Sequence, residues 1–398
     1  MFFQERKPKG KLLLTDCSVA DVINLRVLKN TCVLIEDGII KKIGQTSEFS
    51  SVDAQRFSIN GKTLTPGLID AHVHLCLSAK PDCHLTINTQ STQQLLNTLK
   101  ENQQLNIDAG VTTIRDLGSP LEMLSLMSEL EKDDITFPSV MASGPVLTVK
   151  DGHAVFIGVI AGMSNAANLI KAAAEKGSTL VKIIGTGGNL SPNTDTKGCQ
   201  YSDEEFSFIV NEARRAGFFV ACHAHAASAI DQCLQFGVRS IEHGSYMTED
   251  QLPKFITAGA YWVPTNCPGR MIKSLSEAAQ DRVDRRRANL KKAIALGVPL
   301  AAGTDAGIGG VPHGSLAHEL DEFIDAGMSP IQALRTASLQ NAVMMGIESK
   351  KGSIDEGKDA DLLVFDGDIT NNKFSFHNPL MVIKAGSIVK NSLNGRQT

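Results

Sequence analysis

No stretch of the 398-residue sequence reaches the roughly 20 apolar residues that a membrane-spanning helix needs, so the chain is not expected to cross or bind a membrane. A formal net charge of -4 over this length creates no strong field of either sign, and nucleic acid or anionic lipid therefore has no compositional support as a partner. The opening MFFQERKPKGKLLL breaks its apolar residues with charge and offers no small-residue cleavage site, which argues against a signal peptide. None of the eight cysteines falls in a CxxC pair, and a chain this long does not need disulfides, so reduced thiols and a cytoplasmic location are expected. What is present is ordinary globular material, 42% hydrophobic and 21% charged, which excludes a disordered or fibrous chain.

The two ends share one character. Residues 10–62 read as short strands with turns at Asp37-Gly38 and Asn60-Gly61, a pattern that predicts hairpins. The C-terminal GSIDEGKDADLLVFDGD and PLMVIKAGSIVKN read the same way. Each set is too small to stand alone, so residues 1–64 and 350–398 are expected to combine into one small composite β-sandwich domain.

Between them, over 65–349, short apolar runs alternate with helical segments. Helices repeatedly close on glycine before the next run, at Gly110, Gly177, Gly217, Gly237, Gly259 and Gly297. Ser202 with Glu205 three residues on reads as a capping box. With a first strand over Leu68–His74, a third over Val140–Val146 and a last in VPLAAGTD, eight strands are predicted, the number that closes a (β/α)8 TIM-like barrel of the α/β class. An open doubly wound sheet is the alternative, but no glycine-rich phosphate fingerprint follows the first strand. In a barrel the active site would lie at the C-terminal strand ends.

Six of the ten histidines fall at or just after such ends. His72 and His74 form a His-x-His on strand one, where residues two apart share a face. His223 and His225 close strand five, His243 closes strand six, Asp305 closes strand eight, and His153 follows strand three. A lone histidine in an apolar run is more often a hydrogen-bonded core residue than a ligand. The joint pattern is hard to produce by packing, and imidazole with carboxylate suits zinc in a site open to water. Lys182 lies inside the apolar fourth strand, TLVKIIG. Its stem could snorkel to the rim, or its amine, neutralised by burial, could take up carbon dioxide as a carbamate; both relieve the same desolvation cost.

In TPGLIDAHVHL, VKIIGTGGNLSP, VACHAH, SIEHGS, AAGTDAG with PHG shortly after, and GSIDEGKDADLLVFD, the chain resembles the amidohydrolase superfamily over nearly its whole length. Within it the resemblance is to the imidazolonepropionase-related branch of binuclear-metal dipeptidases, prolidases and related amidases. It implies two zinc ions, one held by His72, His74 and Asp305, the other by His223 and His243, with a carboxylated Lys182 bridging them. It implies a homo-oligomer, and a small-molecule substrate whose carboxylate contacts His153 and His225, at the second of which relatives often carry tyrosine. The expected reaction is hydrolysis of an amide next to a C-terminal carboxylate, as in Xaa-Pro or other dipeptides or N-acyl amino acids. A water activated between the metals would attack, and Asp305 would carry its proton to the leaving nitrogen. A cyclic amidohydrolase or a deaminase of the superfamily is the alternative, although Lys182 argues against most deaminases; a non-catalytic binding barrel is disfavoured by the intact ligand set. His313 is a weaker candidate, Arg115 is expected in a structural ion pair, and His84, His318 and His377 are expected to be structural or on the surface.

Overall fold

A hairpin begins the described chain; the computed structural model describes residues 9–133, 136–191 and 193–393. Strands β1 (Lys11–Asp21) and β2 (Arg26–Glu36) pair antiparallel, and Asp37-Gly38, with φ of 50° and 77°, turns β2 back into β3 (Ile39–Gln45). Two successive left-handed residues match the twist of the flanking strands, which is why such pairs make tight hairpins. The second expected hairpin does not form. β4 (Gln55–Ser58) and β5 (Thr63–Pro66) both run parallel to β1, the first beside Leu12–Thr15 and the second beside Ser18 and Val19. The reason is the irregular middle of β1: Asp16, with φ 56°, accepts from Gly61 N–H through its carbonyl and from Ser58 Oγ through its carboxylate, so the Asn60-Gly61 turn is pinned along β1.

Beyond Gly67 the pattern becomes strand and helix. β6 (Leu68–Val73), β7 (Val111–Asp116) and β8 (Ser139–Ala142) form a parallel sheet. β9 (Val146–Thr148), β10 (Gly158–Ile160), β11 (Val181–Ile184), β12 (Val220–Ala224), β13 (Ser240–His243) and β14 (Tyr261–Val263) form another, in the order β10-β9-β11-β12-β13-β14. β11, β12 and β13 are buried at every position, as parallel strands covered on both faces must be. All six glycines expected to end helices have positive φ, and Ser202 and Glu205 form the expected capping box on the helix Asp203–Arg215.

Two strand expectations need correction. The run Val140–Val146 is split into β8 and β9, because Gly144 has φ 66° and Pro145 has no N–H to donate. The last expected strand, in VPLAAGTD, is not a regular strand: Pro299 again lacks a donor and Asp305 has φ 62°. Its backbone nevertheless bonds on both flanks. Trp262 N–H donates to Pro299 and Ala301 N–H to Trp262 on one side; Ala71 N–H donates to Ala302, Asp305 N–H to His72, and His74 N–H to Ala306 on the other, all at 2.8–3.0 Å. The segment therefore links β14 to β6.

The C-terminal strands β15 (Leu362–Phe365), β16 (Met381–Lys384) and β17 (Ser387–Asn391) return to the beginning of the chain. β15 pairs antiparallel with β5, so both ends contribute to one eight-stranded sheet of order β17-β16-β15-β5-β1-β2-β3, with β4 on β1. Leu14, Val33, Ile35, Leu362, Val364 and Ile383 form part of the apolar cluster on this sheet. No helix among the described residues is long and apolar enough to cross a membrane.

A buried ionic knot ties this sheet to β8. Asp361 accepts from Lys351 Nζ at 2.7 Å, from Lys384 Nζ at 3.5 Å and from Ala385 N–H at 2.7 Å, while Lys384 Nζ also reaches Ser139 Oγ at 3.0 Å. Removing one partner of such a buried set leaves charge stranded in low dielectric. Asp361→Ala is expected to cost about 3–5 kcal/mol in urea denaturation followed by circular dichroism, and a loss below about 1 kcal/mol would show that the knot does not hold the sheet.

Candidate metal centre

His72 lies within β6 and His74 just beyond it, and the segment linking β14 to β6 delivers Asp305 opposite them. The Nε2 atoms of His72 and His74 each lie 3.4 Å from Asp305 Oδ1. Ligands about 2.0–2.2 Å from one tetrahedral zinc stand roughly 3.3–3.6 Å apart, so the three atoms have the spacing of a metal site. They form one of two His/Asp groups of that kind among the described residues.

The second ring nitrogens are already committed. His72 Nδ1 donates to Glu242 Oε2 at 2.8 Å and His74 Nδ1 to the Gly118 carbonyl at 3.2 Å. Such bonds fix the tautomer and leave an Nε2 lone pair for a metal. His243, closing β13, meets Thr265 Oγ1 at 2.7 Å through Nδ1; Thr265 gives its own proton to the Pro264 carbonyl at 2.7 Å, so the imidazole must be the donor. His223, in β12, is tied the other way round, donating from Nε2 to the Gly187 carbonyl at 3.0 Å and keeping Nδ1 open. Ring centroids of 5.2 Å for His72–His243 and 4.5 Å for His223–His243 join all of these into one cluster.

Lys182 stands in β11 at 2% exposure, and its Nζ has no hydrogen-bond partner. It does not snorkel. Burial pulls its ammonium down to about 8. Burial likewise pulls His72 and His153 down to about 4, and His223, His225 and His243 well below the ordinary imidazole range, so these rings are neutral near pH 7. Asp305 goes the other way: burial would raise it, but His72 and His74 hold it below the usual carboxylate range. Neutral imidazoles and an ionised carboxylate are the protonation states a divalent metal requires.

The two expected substrate histidines flank this group. His153 sits 4.7 Å from His223 with Nδ1 3.1 Å from Ser191 Oγ, and His225 stacks on His243 at 5.0 Å with Nδ1 2.8 Å from Ser245 Oγ. Both line a cavity of about 510 Å³ together with the other named residues and an apolar wall that includes Val146, Phe156, Ile157 and Ile308. His313 does not line it; it is buried beside Asn106. His84 packs on Phe156, and His318 and His377 meet Asp321 away from the cavity, forming the other His/Asp group. Backbone strain collects here: His243, Thr265 and Asp305 have φ of 70°, 50° and 62°, which non-glycine residues adopt at a cost.

Residues 63–389 match the model of the amidohydrolase family. The chain belongs to the amidohydrolase family. As an amidohydrolase it is a hydrolase. It is 24% identical to ochratoxinase from Aspergillus niger over 91% of this chain and 83% of that protein. It is 21% identical to imidazolonepropionase from Streptococcus pyogenes serotype M1 over 88% and 87% of the two chains. A crystal structure of a Xaa-Pro dipeptidase with methionine bound in its active site superimposes with a TM-score of 0.86 at 26% identity, covering 96% of this amidohydrolase and 100% of that chain.

Several residues around the amidohydrolase site carry weight that the sequence did not bring out. Glu242 is fully buried, bonded to His72, to Ser240 Oγ at 2.6 Å and to Arg115 at 2.9 Å. Burial would raise its carboxyl, but Arg115 and His72 overcome this and hold it at about 2. Arg115 is thus in an ion pair, as expected, yet in the interior and directly behind a candidate ligand. Asp70 accepts from Thr304 Oγ1 at 2.7 Å and from the backbone N–H of Thr304 and His72, fixing β6 against the segment that carries Asp305. The signal was available: an acid inside an apolar strand, as in LIDAH or SIEHG, needs a partner. Glu242→Gln is expected to weaken metal binding about 10–100-fold in chelator competition, and unchanged affinity would remove Glu242 from the metal-supporting set.

Proposed function

We propose that this amidohydrolase cleaves the amide bond next to a C-terminal carboxylate in a small substrate, such as Xaa-Pro or another dipeptide or an N-acyl amino acid. The observation that carries the reading is the buried, partnerless Lys182 Nζ on the wall of the cavity that His72, His74, His223, His243 and Asp305 also line. The similarity to a Xaa-Pro dipeptidase supports the choice of bond. On this reading the parallel strands form a closed (β/α)8 barrel over residues 65–349, and residues 1–64 with 350–398 form the companion β domain, of which 1–8 and 394–398 lie outside the described residues.

His72, His74 and Asp305 would hold one zinc ion, and His223 and His243 a second, with Lys182 as its carbamate adding an anionic donor. Bound there, they would supply Lewis acidity and a water made acidic near neutral pH. The chain supplies the rest. Lys182, with its ammonium destabilised by burial, is available as the free amine that attacks carbon dioxide; the new N–C bond releases one proton and yields the anionic carbamate. Asp305 is ionised and faces both His72 and His74, so it accepts the proton of the attacking water and returns it to the leaving nitrogen. His153 and His225 border the space for the substrate from either side of His223.

Zinc-loaded enzyme assayed against dipeptides, N-acyl amino acids and a cyclic imidazolone should turn over the first two classes; turnover of the imidazolone alone would replace this reading by the cyclic one. Asp305→Asn should retain metal while losing at least about 100-fold in kcat, and a near-normal rate would end its role as proton carrier. Lys182→Ala should lose one zinc equivalent and regain it with short carboxylic acids, whereas full zinc content without such rescue would sink the carbamate.

A further inference from the structure

The helix Glu277–Leu296 carries Arg282 and Arg286 one turn apart, each only 6% exposed. Arg286 lines the cavity that also contains Asp305, His225 and His243. Its Nε donates to Asn266 Oδ1 at 3.0 Å, one terminal nitrogen donates to Ser245 Oγ at 2.9 Å, and the other donates to the Thr265 carbonyl at 3.5 Å. All three acceptors are uncharged. A guanidinium has five N–H groups, so one remains on each terminal nitrogen.

Among the described residues no carboxylate forms an ion pair with this cation. Neither Arg286 nor Arg282 is in an ion pair among the described residues, whereas Arg270 and Arg287 nearby both engage Glu322. Glu319 and Asp305 both act on Arg286 from beyond ion-pair distance, and burial pushes the Glu319 carboxyl up to about 8, toward its neutral form. Asn266 Nδ2, on the side chain that accepts from Arg286 Nε, and Arg282 Nε, one turn away, are buried without an acceptor, although Arg282 reaches Asn189 on the cavity wall with its other end. A buried cation whose hydrogen bonds go only to uncharged acceptors is expensive unless something anionic completes it.

The position is also suited to the chemistry. Ser245 Oγ, which holds Arg286, is the atom that His225 Nδ1 meets at 2.8 Å, and His225 stacks on His243. Arg286 is therefore one hydroxyl and one imidazole away from the metal-ligand cluster. We propose that Arg286 is the anchor for the C-terminal carboxylate of the substrate, taken on its two free N–H groups, and that it makes the enzyme select acids over the corresponding amides. This rests on the hydrolytic reading above for the orientation of the substrate, but the selection itself is a matter of binding.

Its test compares N-acetyl-L-proline with N-acetyl-L-prolinamide by calorimetry on zinc-loaded protein in the Asp305→Asn background, so that neither is consumed. With Arg286 intact, the acid should bind about 100-fold more tightly than the amide, and Arg286→Gln should bring the two together. Arg286→Lys, which keeps the charge and loses the paired donors, should weaken the acid about tenfold and leave the amide unchanged. Equal affinity for acid and amide with Arg286 present, or equal weakening of both in the lysine variant at unchanged zinc content and circular dichroism, would overturn the assignment. Turnover by the parent enzyme is read separately: acid selection without hydrolysis of any amide refutes the hydrolytic reading and leaves the anchor standing, while hydrolysis without acid selection refutes the anchor alone.

Discussion

The ion pair between Arg115 and Glu242 is the interaction on which the candidate centre depends. Both side chains have no exposed surface, and a carboxylate so placed stays ionised only because a guanidinium meets it at 2.9 Å. The pair also crosses the interior: Arg115, from β7, donates to the Ala71 carbonyl in β6 and to Ser240 in β13, while Glu242, from β13, accepts from His72 in β6. Strands far apart in the chain are thereby fixed at the depth where the two imidazoles must converge. An exposed pair would contribute little; here the low dielectric that makes each charge costly also makes their mutual orientation stringent.

Around that pair the site is assembled from groups held in otherwise unfavourable states. His72, His223 and His243 are kept neutral by burial, Asp305 is kept ionised against burial, and Lys182 has no hydrogen-bond partner. The left-handed backbones of His243, Thr265 and Asp305 occur where strands end and side chains must be re-aimed across the opening. An apo protein carrying this arrangement stores free energy that a bound divalent metal would release, which couples folding stability to metal supply.

Much of this was legible in the residues. Periodicity and the closing glycines located the alternating strands and helices, and the order of His72, His74, Lys182, His223, His243 and Asp305 located the cluster. What periodicity could not see were places where one backbone group decides the outcome. Pro299 and Pro145 break strands that their apolar neighbours would otherwise continue, and Asp16 converts an apparent hairpin turn into a parallel crossover. The residues behind the ligands were hidden for a different reason. Asp70 and Glu242 stand in apolar runs that call for partners and Arg115 reads as half of an ion pair, but only long-range proximity, up to 234 residues for Asp70 with Thr304, says which partners, and Arg286 lies in a charged helix that gives no sign of its burial.

The joint between the two sheets has a consequence of its own. β5 ends at Pro66 and β6 begins at Leu68, with Gly67 alone between them, its N–H donated to the Asp361 carbonyl at 2.8 Å and Thr112 occupying the space a side chain would need. The stretch from Thr63 to His74 therefore acts as a fixed ruler between the sheet shared by the chain ends and the first pair of imidazoles. A one-residue insertion or deletion along it would exchange the inward and outward faces of β6 and turn both imidazoles away from Asp305, so length drift among descendants of this chain has to be absorbed elsewhere, in the loops that follow the strands.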